Sequence, residues 1–182
     1  MIAHSYGKGG FMSDNSNLEG AAASAAPKAL RDWLHPFEGR FRAEVKVWMG
    51  QSDPMISTGL MTNEFDLGGR FLRQTYKGDA SGGPFDAFEG RGFWGYNTVE
   101  KIWEGFWIDN ASTVMQMESG DVDEAGKVWT MRGTMTDPGS GKPLTKKSII
   151  TLVDDDHHRL EMFFDTPGGE AKGMEITYVR AT

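Results

Sequence analysis

From about Phe37 to its C-terminus the chain is a succession of short segments that alternate apolar and polar residues, each ended by turn-forming residues. With almost no helix to cover it, an antiparallel sheet built from such segments must close on itself, since an open sheet leaves rows of unpaired backbone groups at its edges. The predicted fold is therefore all-β: a closed antiparallel up-and-down barrel of about ten strands with a short N-terminal capping helix. A closed barrel has an interior, and function is sought there.

The first strand shows the pattern. Between Arg40 and Trp48, Phe41, Ala43, Val45 and Val47 share one face, while Arg42, Glu44 and Lys46 share the other. Strands are predicted at Ile56 to Asp66, Arg70 to Lys77, Phe85 to Tyr96, Lys101 to Asp109, Thr113 to Asp121, Lys127 to Thr136, Pro143 to Val153, Arg159 to Thr166 and Ala171 to Arg180. The turns between them include Gly68-Gly69, Asp123-Glu124-Ala125-Gly126, Asp137-Pro138-Gly139-Ser140-Gly141, Asp154-Asp155-Asp156-His157 and Pro167-Gly168-Gly169. Gly78 to Pro84 is read as a glycine-rich loop. Gly90, Gly92 and Gly95 sit inside a strand, where glycine marks bends or close backbone approach.

Ahead of the strands, Pro27 to His35 is the one convincing helix. Proline suits its first turn, Ala29, Leu30, Trp33 and Leu34 share a face, and His35-Pro36 ends it. It is expected to plug one end of the barrel. Residues 1–26 are rich in Gly, Ser, Asn and Ala without periodicity and are expected to form a poorly ordered tail, so that residues 27–182 make a single domain. Met12-Ser13-Asp14-Asn15 resembles a natural start, and residues 1–11 carry no functional argument.

A net charge of -7 argues against nucleic acid and, more weakly, against an anionic membrane surface as partners. No stretch approaches the ~18 apolar residues of a membrane span, and no secretory leader is visible. Cysteine is absent, which removes disulfides, thiolate metal sites and cysteine nucleophiles and suits a cytoplasmic protein.

No catalytic motif is present. Gly139-Ser140-Gly141-Lys142 lacks the upstream glycine and the following helix of a phosphate loop, and Pro143 stands where Ser or Thr is needed. Asp121, Asp123 and Gly126 match only part of a calcium loop. His157 and His158 follow three aspartates, but neighbouring strand residues point to opposite faces, so a metal site is not expected there. His35 is read as complementing the end of the helix. No histidine is predicted in the middle of a strand, which argues against haem. No cofactor is expected.

Several strands carry bulky groups on both faces. Trp103, Gly105, Trp107 and Asp109 oppose Ile102, Glu104, Phe106 and Ile108; Leu72, Gln74 and Tyr76 oppose Phe71, Arg73 and Thr75. Either the outside is covered by a second subunit, or the lumen mixes aromatic and polar groups as a ligand pocket does. Side chains can also simply fill a small barrel. The chain has 11 methionines, several of them within predicted strands (Met115, Met117, Met131, Met135, Met162 and Met174), which suits an adaptable pocket or ordinary gap-filling. The candidate ligand contacts are Tyr76, Trp103, Trp107 and Met117 on the apolar side, with Gln74, Asp109, Lys147 and Glu161 as polar anchors. Lys147 and Glu161 could pair inside with each other, with Asp109 or with Glu118; the alternative is that their face meets solvent.

The segments Lys46-Val47-Trp48-Met49-Gly50, Thr58-Gly59-Leu60-Met61-Thr62-Asn63, Leu67-Gly68-Gly69-Arg70-Phe71-Leu72, Tyr76-Lys77-Gly78, Gly95-Tyr96-Asn97, Trp107-Ile108-Asp109, Gly141-Lys142-Pro143, Val153-Asp154-Asp155-Asp156 and Met174-Glu175-Ile176-Thr177-Tyr178 run in one consistent order. In them the chain resembles the bacterial family DUF1579, a domain of unknown function. The resemblance covers about Leu34 to Arg180. Phe41 stands where relatives tend to carry the tryptophan of a lipocalin-style Gly-x-Trp opening. The resemblance implies a lipocalin-like, calycin-type barrel and no assigned reaction.

The leading expectation is a non-enzymatic carrier or sensor that binds a small, partly apolar ligand in the lumen. The second is an enzyme using an inward carboxylate, Asp109 or Glu161, as general base. The third is a packed barrel whose apolar outer face forms a homodimer.

Overall fold

The computed structural model describes residues 28–48, 50–80, 86–137 and 140–182. The expected tail, Pro27 at the helix start, the side chains of Ala29 and Leu30, most of the glycine-rich loop and Pro138-Gly139 lie outside the described residues. One helix, α1 (Lys28–Leu34), runs into a 3-10 turn (His35–Phe37). Ten strands follow: β1 (Gly39–Val47), β2 (Met55–Asp66), β3 (Phe71–Gly78), β4 (Glu89–Asn97), β5 (Ile102–Asp109), β6 (Gln116–Val122), β7 (Val128–Thr136), β8 (Pro143–Leu152), β9 (His157–Thr166) and β10 (Gly169–Arg180).

Each strand pairs antiparallel with its sequence neighbours, and β10 pairs with β1 from Phe41↔Arg180 to Val47↔Met174. The sheet is thus a closed up-and-down barrel, as its turn rhythm predicts. The boundaries differ in two informative places. β9 starts at His157 rather than Arg159, because Val153 and Asp154 donate their N–H groups to the His157 carbonyl and end the turn there. β6 starts at Gln116 rather than Thr113, because Ser112 Oγ accepts the Val114 N–H and holds the preceding segment as a turn; Met115 is consequently outside the strand and exposed.

Strand alternation sends two apolar sets inward. At the plugged end, Leu34 and Phe37 pack on Leu72, Trp94, Trp103, Trp129 and Met131. The Phe37 ring meets Trp94 and Trp129 edge-on at 5.2 and 5.3 Å, and Trp33 stacks on Trp103 at 5.8 Å. Such aromatic pairs add to area burial. A second set, Phe41, Ala43, Met61, Tyr76, Ile176 and Tyr178, lines the wall formed by β1, β2, β3 and β10.

The plug is tied to the barrel by polar contacts as well. Asn63, 1% exposed, donates from Nδ2 to the Phe37 carbonyl at 2.8 Å. Arg180 donates to the carbonyls of Glu38 and Pro36, each at 2.8 Å, and to Asp155 O and Asp156 Oδ1. Its guanidinium also lies 4.6 Å from the Phe41 ring centre. Gly39 permits this: its φ of +124° is one that side-chain-bearing residues avoid, and a Cβ there would stand 2.6 Å from Arg180 Nη1.

Removing the guanidinium strands two buried-end carbonyls and loosens the plug. Arg180→Ala is expected to cost about 2–3 kcal/mol in urea unfolding, the range for hydrogen bonds to a charged group. An unchanged midpoint would show that apolar packing alone seats the plug.

Candidate functional site

Above the plugged end the barrel holds a partly open cavity of about 280 Å³. Its apolar wall includes Val45, Met61, Phe88, Leu160, Met174 and Ile176; polar groups converge from β3, β5, β6, β8 and β9. The space exists because several inward positions are glycine. Across β4, Gly90 and Gly92 carry no side chain, and the Trp107 indole lies flat over them: a Cβ at Gly90 would stand 2.0 Å from Trp107 Cζ2. The glycines that mark close backbone approach in the sequence are therefore the seat of an aromatic wall.

A second glycine gap holds a charge pair. Gly105 lies opposite Glu118 on β6, and Gly133 lies opposite Lys146 on β8. A Cβ at Gly133 would stand 3.2 Å from Glu118 Cγ and 2.2 Å from the Met117 carbonyl. With these positions bare, Lys146 Nζ reaches Glu118 Oε1 at 2.8 Å. Lys146 also donates to Gln116 Oε1 at 2.9 Å, and Ser148 Oγ donates to Glu118 Oε1 at 2.6 Å. The Lys146 side chain is only 4% exposed. A buried pair persists when its geometry is good and further hydrogen bonds support it, and Gln116 and Ser148 supply them here.

The candidate contacts divide. Gln74, Tyr76, Trp107 and Asp109 line the cavity. Trp103 is on the same inward face but at 1% exposure belongs to the aromatic base, among Trp33, Trp94, Tyr96 and Trp129. Met117, Lys147 and Glu161 are corrections: they stand on the outer surface. Met117 is 57% exposed. Lys147 pairs outside with Glu170 and lies over Phe163; Glu161 pairs with Lys172 and Arg159. The reason is strand parity: Gln116, Glu118, Lys146, Ser148, Leu160 and Met162 take the inward positions, so their neighbours must face out.

Asp109 is not a free carboxylate. Its Oδ1 accepts the N–H groups of Ala111 and Ser112, so that it shapes the turn after β5. With Glu161 outside and Asp109 so engaged, neither carboxylate considered as a general base stands free in the lumen.

Sequence reasoning missed Gln116, Lys146, Ser148, His158 and Tyr178, and named Glu118 only as a partner. The bare positions at Gly105 and Gly133 were the available signal. His158 stands second in β9, which starts two residues earlier than predicted, and it lines the cavity. It is 7% exposed, stacks on Tyr178 at 4.3 Å and meets the edges of Phe37 and Phe41. His157 points the other way, with Nδ1 2.7 Å from Asp154 Oδ1. Among the described residues no group of three or more His, Asp or Glu side chains gathers as a metal site.

Burial, aided by the nearby Arg180 guanidinium, pushes His158 down to about 3. Burial likewise pushes the Tyr178 and Tyr76 hydroxyls up. The lumen therefore holds a neutral imidazole and neutral phenols at physiological pH. The unfolded chain binds a proton at His158 near pH 6.5 that the folded chain refuses until about pH 3. Stability is therefore complete above the unfolded value and falls with acid below it. Between pH 7 and pH 5 this group is expected to remove about 2 kcal/mol. His158→Phe should flatten that part of the stability–pH curve, read by denaturant titration; an unchanged slope would place the acid sensitivity elsewhere.

Among curated proteins nothing matches this chain. Two solved structures are similar in outline. One is a redesigned β-barrel, at 13% identity and a TM-score of 0.42 over 84% of this chain and 96% of that one. The other is EF1p2_mFAP2b bound to DFHBI, at 12% identity and a TM-score of 0.44 over 84% of this chain and 99% of that one. The family model for DUF1579, described as a protein of unknown function, matches residues 26–180. That match spans nearly all of the barrel and its plug, and the chain belongs to the DUF1579 family.

Proposed function

We propose that the protein binds a small, partly apolar molecule in the barrel lumen and does not transform it. The observation that carries this reading is a partly open cavity of about 280 Å³ walled by Met61, Phe88, Trp107, Met174 and Ile176, into which polar groups are also turned. Gln74, Tyr76, Tyr178 and His158 line it. Buried polar groups are ordinarily paired, and a predominantly apolar pocket with a few placed polar groups is the usual form of a small-molecule site. The size agrees: a cavity of about 150 Å³ takes a benzene, so this one accommodates a larger molecule.

A second reading concerns the outer face. Leu67, Phe71, Phe93, Phe106 and Met117 border an open apolar groove across β3 to β6, and Leu67, Phe71 and Met117 are exposed. Exposed apolar surface of this kind favours self-association, and a homodimer through this face is compatible with an occupied lumen.

Native mass spectrometry of protein purified from its own host tests the first reading. The expected result is a mass above that of the bare chain, lost on denaturation. Met162→Trp, which places an indole in the lumen, should return the bare mass while shifting the melting temperature by no more than about 5 °C. A bare native mass for the wild type would favour a packed, unoccupied barrel. For the second reading, light scattering on a sizing column should give a dimer that Phe106→Glu converts to monomer; a wild-type monomer removes it.

A further inference from the structure

The lumen's polar wall is more selective than its apolar one. Lys146 and Glu118 cancel each other's charge inside the wall, and each is only partly used. Glu118 Oε1 takes both Lys146 and Ser148, while Oε2 has no partner among the described residues. Lys146 spends two of an ammonium's three N–H donors, on Glu118 and Gln116. Gln116 accepts through Oε1, and its amide N–H groups have no described partner. Trp94, 5% exposed and lining the same cavity, has a buried indole N–H with no hydrogen-bond partner. Its Cδ1, the atom next to that nitrogen, would lie 3.7 Å from a Cβ on Gly105, the residue opposite Glu118.

We infer that this wall receives an uncharged group that both donates and accepts, of carboxamide type, carried on an apolar body of about two fused rings. The inference rests on the lumen being a binding site. The donor of the guest meets Glu118 Oε2; its acceptor meets the remaining N–H groups of Lys146 and Gln116. An anion would come to lie beside Glu118, with Asp109 also on the cavity wall, and the one cation present is already paired. A cation would meet Lys146 and a surplus of N–H donors. Either ion would bring an uncompensated charge out of water. A purely apolar guest would leave the unpartnered groups of the wall dry and unpaired. The body fits by volume: the cavity has almost twice the ~150 Å³ that takes a benzene.

Four probes that share one body decide this: 2-naphthamide, 2-naphthoate, 2-naphthylmethylammonium and naphthalene, titrated calorimetrically into the full chain at pH 7.5. The amide is expected to bind at least tenfold more tightly than each of the others. A tighter naphthoate or ammonium ion, or a naphthalene that equals the amide, overturns the inference and leaves luminal binding standing. Binding by none of the four overturns both. The paired change Glu118→Gln with Lys146→Met, which avoids leaving a lone buried charge, should cut the amide's advantage over naphthalene to less than threefold. An advantage that survives in a folded double variant also overturns the assignment; should that variant not fold, the wild-type panel decides alone.

Discussion

The seam between β1 and β10 is the constraint on which everything else in the molecule depends. Until Phe41 to Val47 meet Met174 to Arg180, the sheet has two unpaired edges and no inside. Once they meet, strand alternation divides the chain into two populations, one facing water and one facing the lumen. No part of the cavity belongs to a single local motif. Lys146 and Glu118, the bare positions Gly105 and Gly133, and Trp94 come from five different strands.

The fold was legible because it rests on features that repeat: alternation with a period of two, and turn residues between the runs. The site was less legible, because the same alternation does not say which face turns inward. On β1 the faces differ plainly, with Phe41, Ala43 and Val45 against Arg42, Glu44 and Lys46. On β6 they run against intuition: Gln116 and Glu118 face in and Met117 faces out. On β8 two adjacent lysines and two adjacent isoleucines leave the parity undecided in the sequence, and Lys146, not Lys147, is the inward one. The structure resolves this through volume. Glu118 has room beside β7 because glycine stands at the neighbouring inward position 133.

Glycine therefore does two kinds of work in this barrel. At Gly39 it supplies a backbone angle and clears a path for Arg180. At Gly90, Gly92, Gly105 and Gly133 it supplies absence. A small barrel filled at every inward position would be solid, and here the missing side chains set the shape of the cavity. Trp107 lies over two of these gaps, and the charge pair spans another. The lumen is thus defined as much by where side chains are lacking as by those that line it.

The ties made by Arg180 have a consequence for how the protein is born. Its guanidinium holds carbonyls 142 and 144 residues earlier in the chain, at Glu38 and Pro36. A ribosome releases the plug well before its anchor, so the plug waits for all ten strands to be made before it can be fastened. Closing so long a loop precedes any reward from the contacts it permits, which makes assembly slow and all-or-none.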